Sequence, residues 1–151
     1  MDKPVLVVID MQENFPAARN PKTLAACKQL IADAIMHVNP IIFVEYSLNG
    51  QTLTDLTSMV ESYELKFRIH KSQDDGSRDI QECLDRCKVI PKKLIVCGVN
   101  TNFCVLSTVQ GLHRSEHNFN IDVIAEACHD QWDKHDVGIA AMKHLSRVQV
   151  I

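Results

Sequence analysis

The 151-residue sequence predicts an α/β fold, in which a parallel β-sheet lies between helices on both faces. Segments with the pattern of buried strands alternate with segments of helical spacing along the whole chain, which is typical of parallel strands joined by right-handed crossovers. The composition, with 46% hydrophobic and 23% charged residues, is that of a globular domain. We therefore expect residues 1–151 to form one domain with a sizeable core.

Six segments are predicted to be strands. Pro4–Ile9 is a continuous run of apolar and mostly β-branched residues, which is typical of a strand buried on both faces of a parallel sheet. Leu94–Val99 has the same character. In chain order, the predicted strands are Pro4–Ile9, Ile41–Val44, Phe67–His70, Leu94–Val99, Ile121–Ala125 and Val148–Ile151.

Apolar residues recur at helical spacing between most of these strands. The first such stretch begins at about Thr23, which is a plausible N-cap, and ends near Val38, just before Pro40. Residues 46–65 are polar and irregular, with only weak helical spacing. The later helices are predicted over Arg78–Lys88, Asn102–Glu116 and Asp133–Leu145.

Charge and hydropathy argue against several classes of protein. The chain has 16 basic and 19 acidic residues, a net charge of −3, and no basic block, so we expect no nucleic-acid partner. No apolar run approaches the roughly 20 residues of a membrane helix, and the N-terminus leads directly into a strand, so we expect a cytoplasmic protein. Its six cysteines are expected to be reduced, since a domain of this size needs no cross-links.

Polar residues follow three of the predicted strands. Asp10 follows the first strand, Lys71 the third, and the segment Gly98–Cys104 closes the fourth. In an open parallel sheet the ligand site lies outside the carboxyl ends of the strands, where the strand order reverses. Each residue taken singly has an ordinary role in packing, in a turn or at the surface, but together they predict one site at this edge.

Cys104 is the candidate nucleophile of this site. It is predicted to lie in the first turn of its helix, with Thr101 as the N-cap. The helix terminus and the ammonium group of Lys71 are expected to lower the pKa of the thiol, and Asp10 to hold or accept a proton. Four other cysteines are assigned to packing, namely Cys27, Cys83, Cys87 and Cys97. Cys128 is left unassigned.

Residues after the fifth predicted strand could be interpreted as a metal site. It would consist of His129, Asp130, Asp133 and His135, but their spacing matches no metal motif, and a solvated helix start explains them better. We therefore expect neither a metal nor a cofactor.

Three segments resemble the signature segments of the isochorismatase-like cysteine hydrolase superfamily, which includes nicotinamidases and N-carbamoylsarcosine amidohydrolases. These are Val7–Phe15, Lys71 at the end of its strand, and Gly98–Val105, in the family's order and spacing. The segment Ala125–Cys128 with the downstream His135 resembles the family's last strand and helix. The resemblance therefore covers nearly the whole chain.

The resemblance implies a fold and a set of site residues. The fold is a three-layer αβα sandwich of Rossmann-like type, with a six-stranded parallel sheet. Asp10, Lys71 and Cys104 would form a catalytic triad, the Val99–Asn100 peptide bond would be cis, and the backbone amides near Asn100 and Cys104 would form an oxyanion hole.

The chain also departs from the family pattern. Family members that hydrolyse nicotinamide carry an Asp-x-His metal pair after the second strand, whereas Glu45–Asn49 contains no such pair. The segment Asn49–Leu65 is shorter than usual, and the polar run Gln73–Gly76 replaces an aromatic residue. Members that cleave the vinyl ether of isochorismate often lack the cysteine, so Cys104 favours hydrolysis of an amide or ureido C–N bond.

The sequence thus predicts a cysteine-dependent hydrolase that cleaves a small amide or ureido C–N bond through a thioester. Phe15 and Phe103 are expected to wall a small apolar pocket, with core packing as the alternative for Phe103. A homo-oligomer is expected, because the short segment leaves little to roof the pocket and the helix after Cys104 is apolar over much of its circumference.

Three other functions were weighed against this one. A phosphorylated receiver domain needs an acidic pair after the first strand, where Asp10 stands alone, and a thiol redox protein needs a Cys-x-x-Cys motif, which is absent. A catalytically inactive or isochorismatase-type family member that acts as a binding or oligomeric partner remains the main alternative.

Overall fold

Six parallel strands form one sheet between two layers of helices in the computed structural model, which describes residues 3–151. This confirms the predicted three-layer α/β fold. The strands are β1 (Val5–Ile9), β2 (Ile41–Tyr46), β3 (Lys66–Lys71), β4 (Lys93–Val99), β5 (Asn120–His129) and β6 (Val148–Val150). The helices are α1 (Pro21–Met36), α2 (Thr54–Thr57), α3 (Ser77–Arg86), α4 (Leu106–His113) and α5 (His135–Lys143).

The strand order is β3-β2-β1-β4-β5-β6. From β1 the chain first builds outward on one side, through β2 and β3, and then crosses to the other side of β1 to form β4, β5 and β6. The strand order therefore reverses between β1 and β4. The carboxyl ends of these two strands flank the crevice where an open α/β sheet places its ligand site.

Side chains of the central strands alternate between two apolar cores. Val5, Val7 and Ile9 pack in a cluster with residues of α3, α4 and α5, while Leu6 and Val8 pack in a second cluster with residues of α1 and α2. Burying a side chain of this size contributes roughly 1.5–3 kcal/mol, so a strand buried on both faces is held firmly. This rigid centre is the base from which β1 and β4 present the residues that follow them.

Helix α1 begins two residues earlier than the sequence predicted. Its N-cap is Asn20, whose side-chain oxygen accepts a hydrogen bond from the backbone N–H of Thr23 at 3.1 Å. The prediction that Thr23 is the cap is therefore wrong. Pro21 occupies the first helical position, where a missing N–H costs no hydrogen bond.

Two segments contain more regular structure than their sequence patterns indicated. Residues 46–65 include α2 and a 3₁₀ turn at Ser58–Val60, and bury Leu53 and Leu56 in the α1-side core. Strand β5 continues to His129, beyond the predicted end at Ala125. No helix within residues 3–151 has the length and apolar character needed to cross a membrane.

Helix α4 does not have the exposed apolar face on which the prediction of a homo-oligomer was partly based. Val105, Val109 and Leu112 are fully buried, and Leu106 packs partly buried against the same core cluster. These residues are therefore used within the monomer.

Strand β3 forms one edge of the sheet. Lys66, Arg68 and His70 alternate along it and are exposed, whereas Ile69 and Lys71 are buried. Arg68 and His70 both lie against the buried carboxylate of Glu45 on β2, at 3.4 Å and 3.1 Å respectively.

Candidate active site

Asp10 and Lys71 form a buried ion pair at the carboxyl edge of the sheet. Asp10 follows β1 directly and Lys71 is the last residue of β3, with β2 lying between these two strands. The ammonium nitrogen of Lys71 lies 3.2 Å from Oδ2 of Asp10, and both side chains are essentially inaccessible to solvent. The structure thus brings together two of the three residues that were predicted to converge.

The backbone turns sharply at Asp10. Its φ angle is +53°, a left-handed conformation that a short polar side chain tolerates better than most. Its N–H donates to the carbonyl of Val44 at 2.9 Å, and its own carbonyl accepts from the N–H of Gln12 at 2.8 Å. These bonds end β1 and hold the carboxylate below the surface.

The ammonium group of Lys71 is fixed by the loop that follows its own strand. It donates to the backbone carbonyls of Gln73 and Asp74 at 3.0 Å and 3.1 Å, and lies 3.9 Å from the centre of the Tyr46 ring. The cation–π contact and the two carbonyls compensate for the loss of water around a buried charge. Lys71 is therefore a fixed positive charge beside Asp10.

Cys104 lies in a π-helical turn, Thr101–Val105, that joins β4 to α4. The helix predicted from Asn102 thus begins in a wider form, of the kind often found at functional sites. The carbonyl of Asn100 accepts from the N–H groups of Phe103 and Val105 at 3.1 Å and 3.2 Å, and the Val99–Asn100 peptide bond is cis. The Cys104 side chain is enclosed, with the residue only 6% exposed.

Gly98 allows β4 to approach β1 at this point. Its φ angle is +129°, and a Cβ atom there would collide with the backbone of Ile9, the residue before Asp10. The close approach sets the Asp10 turn beside the segment that leads to Cys104.

The protonation states at the site are governed by burial. Burial raises the pKa of Asp10 to about 6, although the charge of Lys71 and the nearby thiol of Cys104 oppose the shift. Burial, and then the negative charge of Asp10, raise the pKa of the Cys104 thiol, and Lys71 only partly offsets this. The expectation of a thiol pKa below its usual range is therefore wrong, because desolvation and Asp10 outweigh the positive charge.

The proton of the pair thus resides on sulfur, and Asp10 is mostly ionised at neutral pH. Oδ2 of Asp10 is paired with the Lys71 ammonium at 3.2 Å, and the Cys104 thiol lies close enough to lower the pKa of the carboxyl group. The carboxylate is therefore suited to take a proton from the adjacent thiol.

The segment after β5 supports the Cys104 turn through three successive residues. The side-chain oxygen of Asn100 accepts from the N–H of Gln131 at 2.8 Å, and Oδ2 of Asp130 accepts from the N–H of Asn102 at 2.9 Å. Between them, Oγ1 of Thr101 lies 2.8 Å from Nδ1 of His135. Thr101 therefore pairs with His135 rather than acting as the predicted N-cap.

Asp130 is the site-supporting residue that the sequence interpretation missed. It was assigned to a solvated helix start, but it is only 3% exposed. Its position just beyond the end of β5, at the same edge of the sheet as the other strand ends, could have indicated a role at the site. The sequence did not reveal this position, because β5 is longer than its apolar pattern suggests.

The two predicted pocket residues lie in different surroundings. Phe103 is 38% exposed and packs edge-to-face with Trp132, with the ring centres 5.0 Å apart. This exposure excludes core packing as the role of Phe103. Phe15 is half-buried and packs against the α1-side core. A cleft of about 520 Å³ lies elsewhere, along β3 between Phe43, Val60 and Phe67.

The segment Glu45–Asn49 lacks the Asp-x-His pair that the resemblance associates with nicotinamide-hydrolysing members. Glu45 is buried, and its carboxylate accepts hydrogen bonds from the N–H and hydroxyl of Thr52 at 2.8 Å and 2.7 Å, in addition to its pairing with Arg68 and His70. In the described part of the chain, no three side chains of His, Cys, Asp or Glu gather in a way that could hold a metal ion. Metal independence stays a prediction to be tested.

Comparison with known proteins places the fold. The sequence profile of the isochorismatase domain matches residues 4–150. No protein with a curated description matches the sequence significantly. Among solved structures, the nicotinamidase of Staphylococcus aureus superposes with a TM-score of 0.82 at 20% identity, covering 100% of both chains.

Two further structures share the fold but have other names. The MAR1 ribonuclease of Caenorhabditis elegans has a TM-score of 0.83 at 21% identity, covering 99% of this chain and 76% of that one. The N-carbamoylsarcosine amidase of Thermoplasma acidophilum has a TM-score of 0.75 at 17% identity, covering 98% and 95%. At these identities the likeness is one of fold, and the chemistry has to be argued from the site.

Proposed function

The chain belongs to the isochorismatase family of hydrolases, and from that premise we propose that it is a cysteine-dependent amidohydrolase acting on a small amide or ureido C–N bond. The observation that carries the proposal is the buried Asp10 carboxylate, which lies 3.2 Å from the Lys71 ammonium and beside the Cys104 thiol. This arrangement couples a nucleophile to a proton acceptor.

The first half of the reaction forms a thioester. Sγ of Cys104 attacks the carbonyl carbon while its proton passes to Asp10, so that sulfur is charged only as the new bond forms. The carbonyl oxygen becomes negative and is held by the backbone amides near Asn100 and Cys104. Asp10 then gives its proton to the nitrogen, the C–N bond breaks, and the amine leaves.

The second half of the reaction regenerates the enzyme. Water attacks the thioester carbonyl and gives a proton to Asp10, the C–S bond breaks, and the acid leaves. The proton of Asp10 then returns to sulfur. A pKa of about 6 suits a group that must accept and donate a proton near neutral pH.

Lys71 assists without exchanging protons in this scheme. Its charge favours the ionised form of Asp10 and partly offsets the burial that disfavours a Cys104 thiolate. Its two bonds to loop carbonyls hold it in place for both tasks.

The proposed substrate class is supported by the site and by the names of two structural relatives. Nicotinamidase and N-carbamoylsarcosine amidase are both named for C–N hydrolysis of small molecules. The ribonuclease is named for a polyanionic substrate, and a net charge of −3 gives no electrostatic support for binding one. We therefore propose a small amide or ureide as substrate, with no cofactor.

Ammonia release from a panel of primary amides and N-carbamoyl compounds, including nicotinamide, tests the proposal. We expect turnover by the wild type and a loss of at least about 10³-fold in Cys104→Ala. Cys87→Ala is the matched control. It makes the same change at the C-cap of α3, and the mechanism does not use Cys87. Intact-mass measurement should detect an acyl adduct on Cys104 with a slowly hydrolysed substrate.

Treatment with a chelator, followed by elemental analysis, tests metal independence in the same assay. We expect the activity to survive. A stoichiometric metal whose removal abolishes turnover, or full activity in Cys104→Ala, would overturn the mechanism.

A binding or oligomeric partner without activity is the second candidate. The observation that favours it is the enclosure of the site, since Asp10 and Lys71 are almost completely covered. Failure of the wild type to turn over any member of the panel or to form any adduct on Cys104 would support this candidate.

A further inference from the structure

We propose that Asp130 is a positioning residue that holds the Cys104 turn in the geometry needed to bind an oxyanion. The inference rests on the proposed function, because it concerns the backbone amides near Asn100 and Cys104. Asp130 acts through the backbone of Asn102, which lies between those two residues, and does not itself touch the reacting atoms.

The carboxylate of Asp130 is fully engaged by backbone donors. Oδ2 accepts from the N–H of Asn102 at 2.9 Å, and Oδ1 accepts from the N–H groups of Trp132 and Lys134 at 2.9 Å and 3.4 Å. Hydrogen bonds to a charged acceptor in a buried place are stronger than neutral ones. The side chain thus clamps the Cys104 turn to the loop between β5 and α5.

The bond to Asn102 satisfies a donor that the turn cannot satisfy alone. The first N–H groups of a helix have no partner within it, and Asn102 is the second residue of the π-helical turn. An external carboxylate at this position therefore fixes the start of the turn, and with it the direction of the N–H groups that follow.

Two neighbouring contacts give the clamp its stiffness. Asn100 is bound to Gln131 in the loop after β5, and Thr101 to His135, the first residue of α5, so three consecutive residues of the turn are held from one side. Helix α5 also lies directly on the turn, because a Cβ at Gly138 would come within 2.9 Å of the Cα and N atoms of Asn102. The turn has little freedom while Asp130 is in place.

The expected consequence is a selective loss of oxyanion binding. One oxyanion-hole donor is worth about 10²–10³-fold in rate, and its alignment has to be held within a fraction of an ångström. Removing the clamp therefore weakens steps that form a tetrahedral carbon with a negatively charged oxygen. It leaves attack of the thiol on a saturated carbon, which forms no oxyanion, largely unaffected.

Two reactions of Cys104 in the full-length protein separate these effects. Iodoacetamide alkylates sulfur by displacing iodide at a CH₂ group while the thiol proton passes to Asp10. Acetaldehyde instead forms a thiohemiacetal, in which sulfur bonds to the carbonyl carbon, the thiol proton passes to Asp10 and the carbonyl oxygen becomes the negative oxygen that the backbone amides would bind. Acetaldehyde labelled with ¹³C at the carbonyl reports the adduct by NMR, and intact mass reports the alkylation. Neither probe requires the natural substrate.

We expect Asp130→Asn to weaken acetaldehyde binding and to lower kcat on an amide substrate, each by about tenfold or more, with alkylation close to the wild-type rate. Asn keeps one acceptor oxygen and the shape of the side chain, so Asp130→Ala should show a larger effect. Asp133→Asn, the same change at an exposed position of the same loop, is the matched control and should alter neither reaction.

Equal losses in alkylation and in acetaldehyde binding by a folded Asp130→Asn protein would overturn the inference, because they would indicate a general structural role. Unchanged acetaldehyde binding would overturn it as well. A wild-type Cys104 that reacts with neither probe would overturn the proposed function and this inference together. Failure of the inference alone would instead be seen as a reactive wild-type Cys104 with no selective loss in Asp130→Asn.

Discussion

The chemistry of Asp10 and Cys104 depends on one physical effect that acts on both. Burial disfavours the charged form of each group, so that the pKa of Asp10 is raised to about 6 and the pKa of the thiol is raised as well. Lys71 opposes both shifts without reversing either. The resting site therefore contains a carboxylate, an ammonium and a neutral thiol. In the proposed mechanism, the nucleophile is generated only when Asp10 takes the proton.

The acid limb of the pH profile should report Asp10. Below about pH 6 its carboxyl group is protonated and cannot accept the thiol proton, so kcat/KM should fall as the pH decreases through that value. In Lys71→Met the limb should move to higher pH, by roughly one unit or more, because the charge that lowers the pKa of Asp10 is gone.

Initial rates between pH 4 and 8 in both proteins provide the measurement. Lys71→Arg, which keeps the charge, is the control and should leave the limb near its wild-type position. An acid limb that is the same in Lys71→Met and the wild type would contradict the assignment of Asp10 as the base.

The positions of the three site residues were predictable from the sequence, but their charge states were not. Strand ends of a parallel sheet share one edge, so residues that end β1, β3 and β4 had to lie near one another. The pKa of Cys104 depends instead on how completely the folded chain covers it, which no local pattern records. Asp130 was missed for a similar reason, because its burial is produced by α5 and the Cys104 turn.

At the scale of elements, the contact between β1 and β4 is what shapes the site. Gly98 is the residue at which β4 comes closest to β1. On the other side of β4, the pairing with β5 is irregular at the same residue. Val96 pairs with Val123 but Gly98 pairs with Cys128, so β5 uses five residues where β4 uses two. The extra residues carry the chain to Asp130, directly beside the Cys104 turn.

Gly98→Ala should destabilise the fold by about 2–4 kcal/mol, since a methyl group there meets the backbone of Ile9 and the residue must keep a positive φ angle. Gly50→Ala is the matched control. Gly50 also has a positive φ angle, +79°, but its nearest neighbour is the side chain of Glu13, so the expected cost is only about 1–2 kcal/mol.

Urea unfolding followed by circular dichroism measures both free energies of unfolding. Equal losses in the two variants would show that backbone conformation alone, and not the approach of β4 to β1, makes glycine necessary at position 98.

The ends of strands and helices were predictable where the apolar pattern of the sequence is strong. They were predicted wrongly where pairing with another strand determines how far the element extends. The buried runs of β1 and β4 were located within a residue at each end. The continuation of β5 past Ala125 includes the polar Glu126 and depends on pairing with Gly98 and Val99. Similarly, α2 has only four residues, too few for helical spacing to be visible.

At the scale of the whole molecule, large apolar side chains remain exposed near the site. Trp132 and Val137 are each more than half exposed and lie on either side of the start of α5, with Trp132 packed on Phe103. Large apolar side chains grouped on a surface are typical of an interaction site. They give the predicted homo-oligomer a more plausible interface than α4, whose apolar residues are all used in the core.

Light scattering after gel filtration at micromolar concentration should therefore give a mass that is a multiple of 17.0 kDa. Val137→Asp should lower that mass, because it places a charge in the apolar patch. Leu48→Asp, which puts the same charge at a more exposed apolar residue in the segment after β2, is the control. A fully active, monodisperse species at 17.0 kDa would contradict the prediction.

The charged edge strand limits how such an assembly is built. Two copies of β3 aligned antiparallel would bring the exposed Lys66 and Arg68 of one copy against the same groups of the other. Like charges opposite one another across strands are destabilising, and lysine on an edge strand is a common protection against unwanted pairing. The charged side chains therefore protect the exposed backbone of β3 from pairing with a second copy and from aggregation, and the predicted oligomer is expected to use another surface.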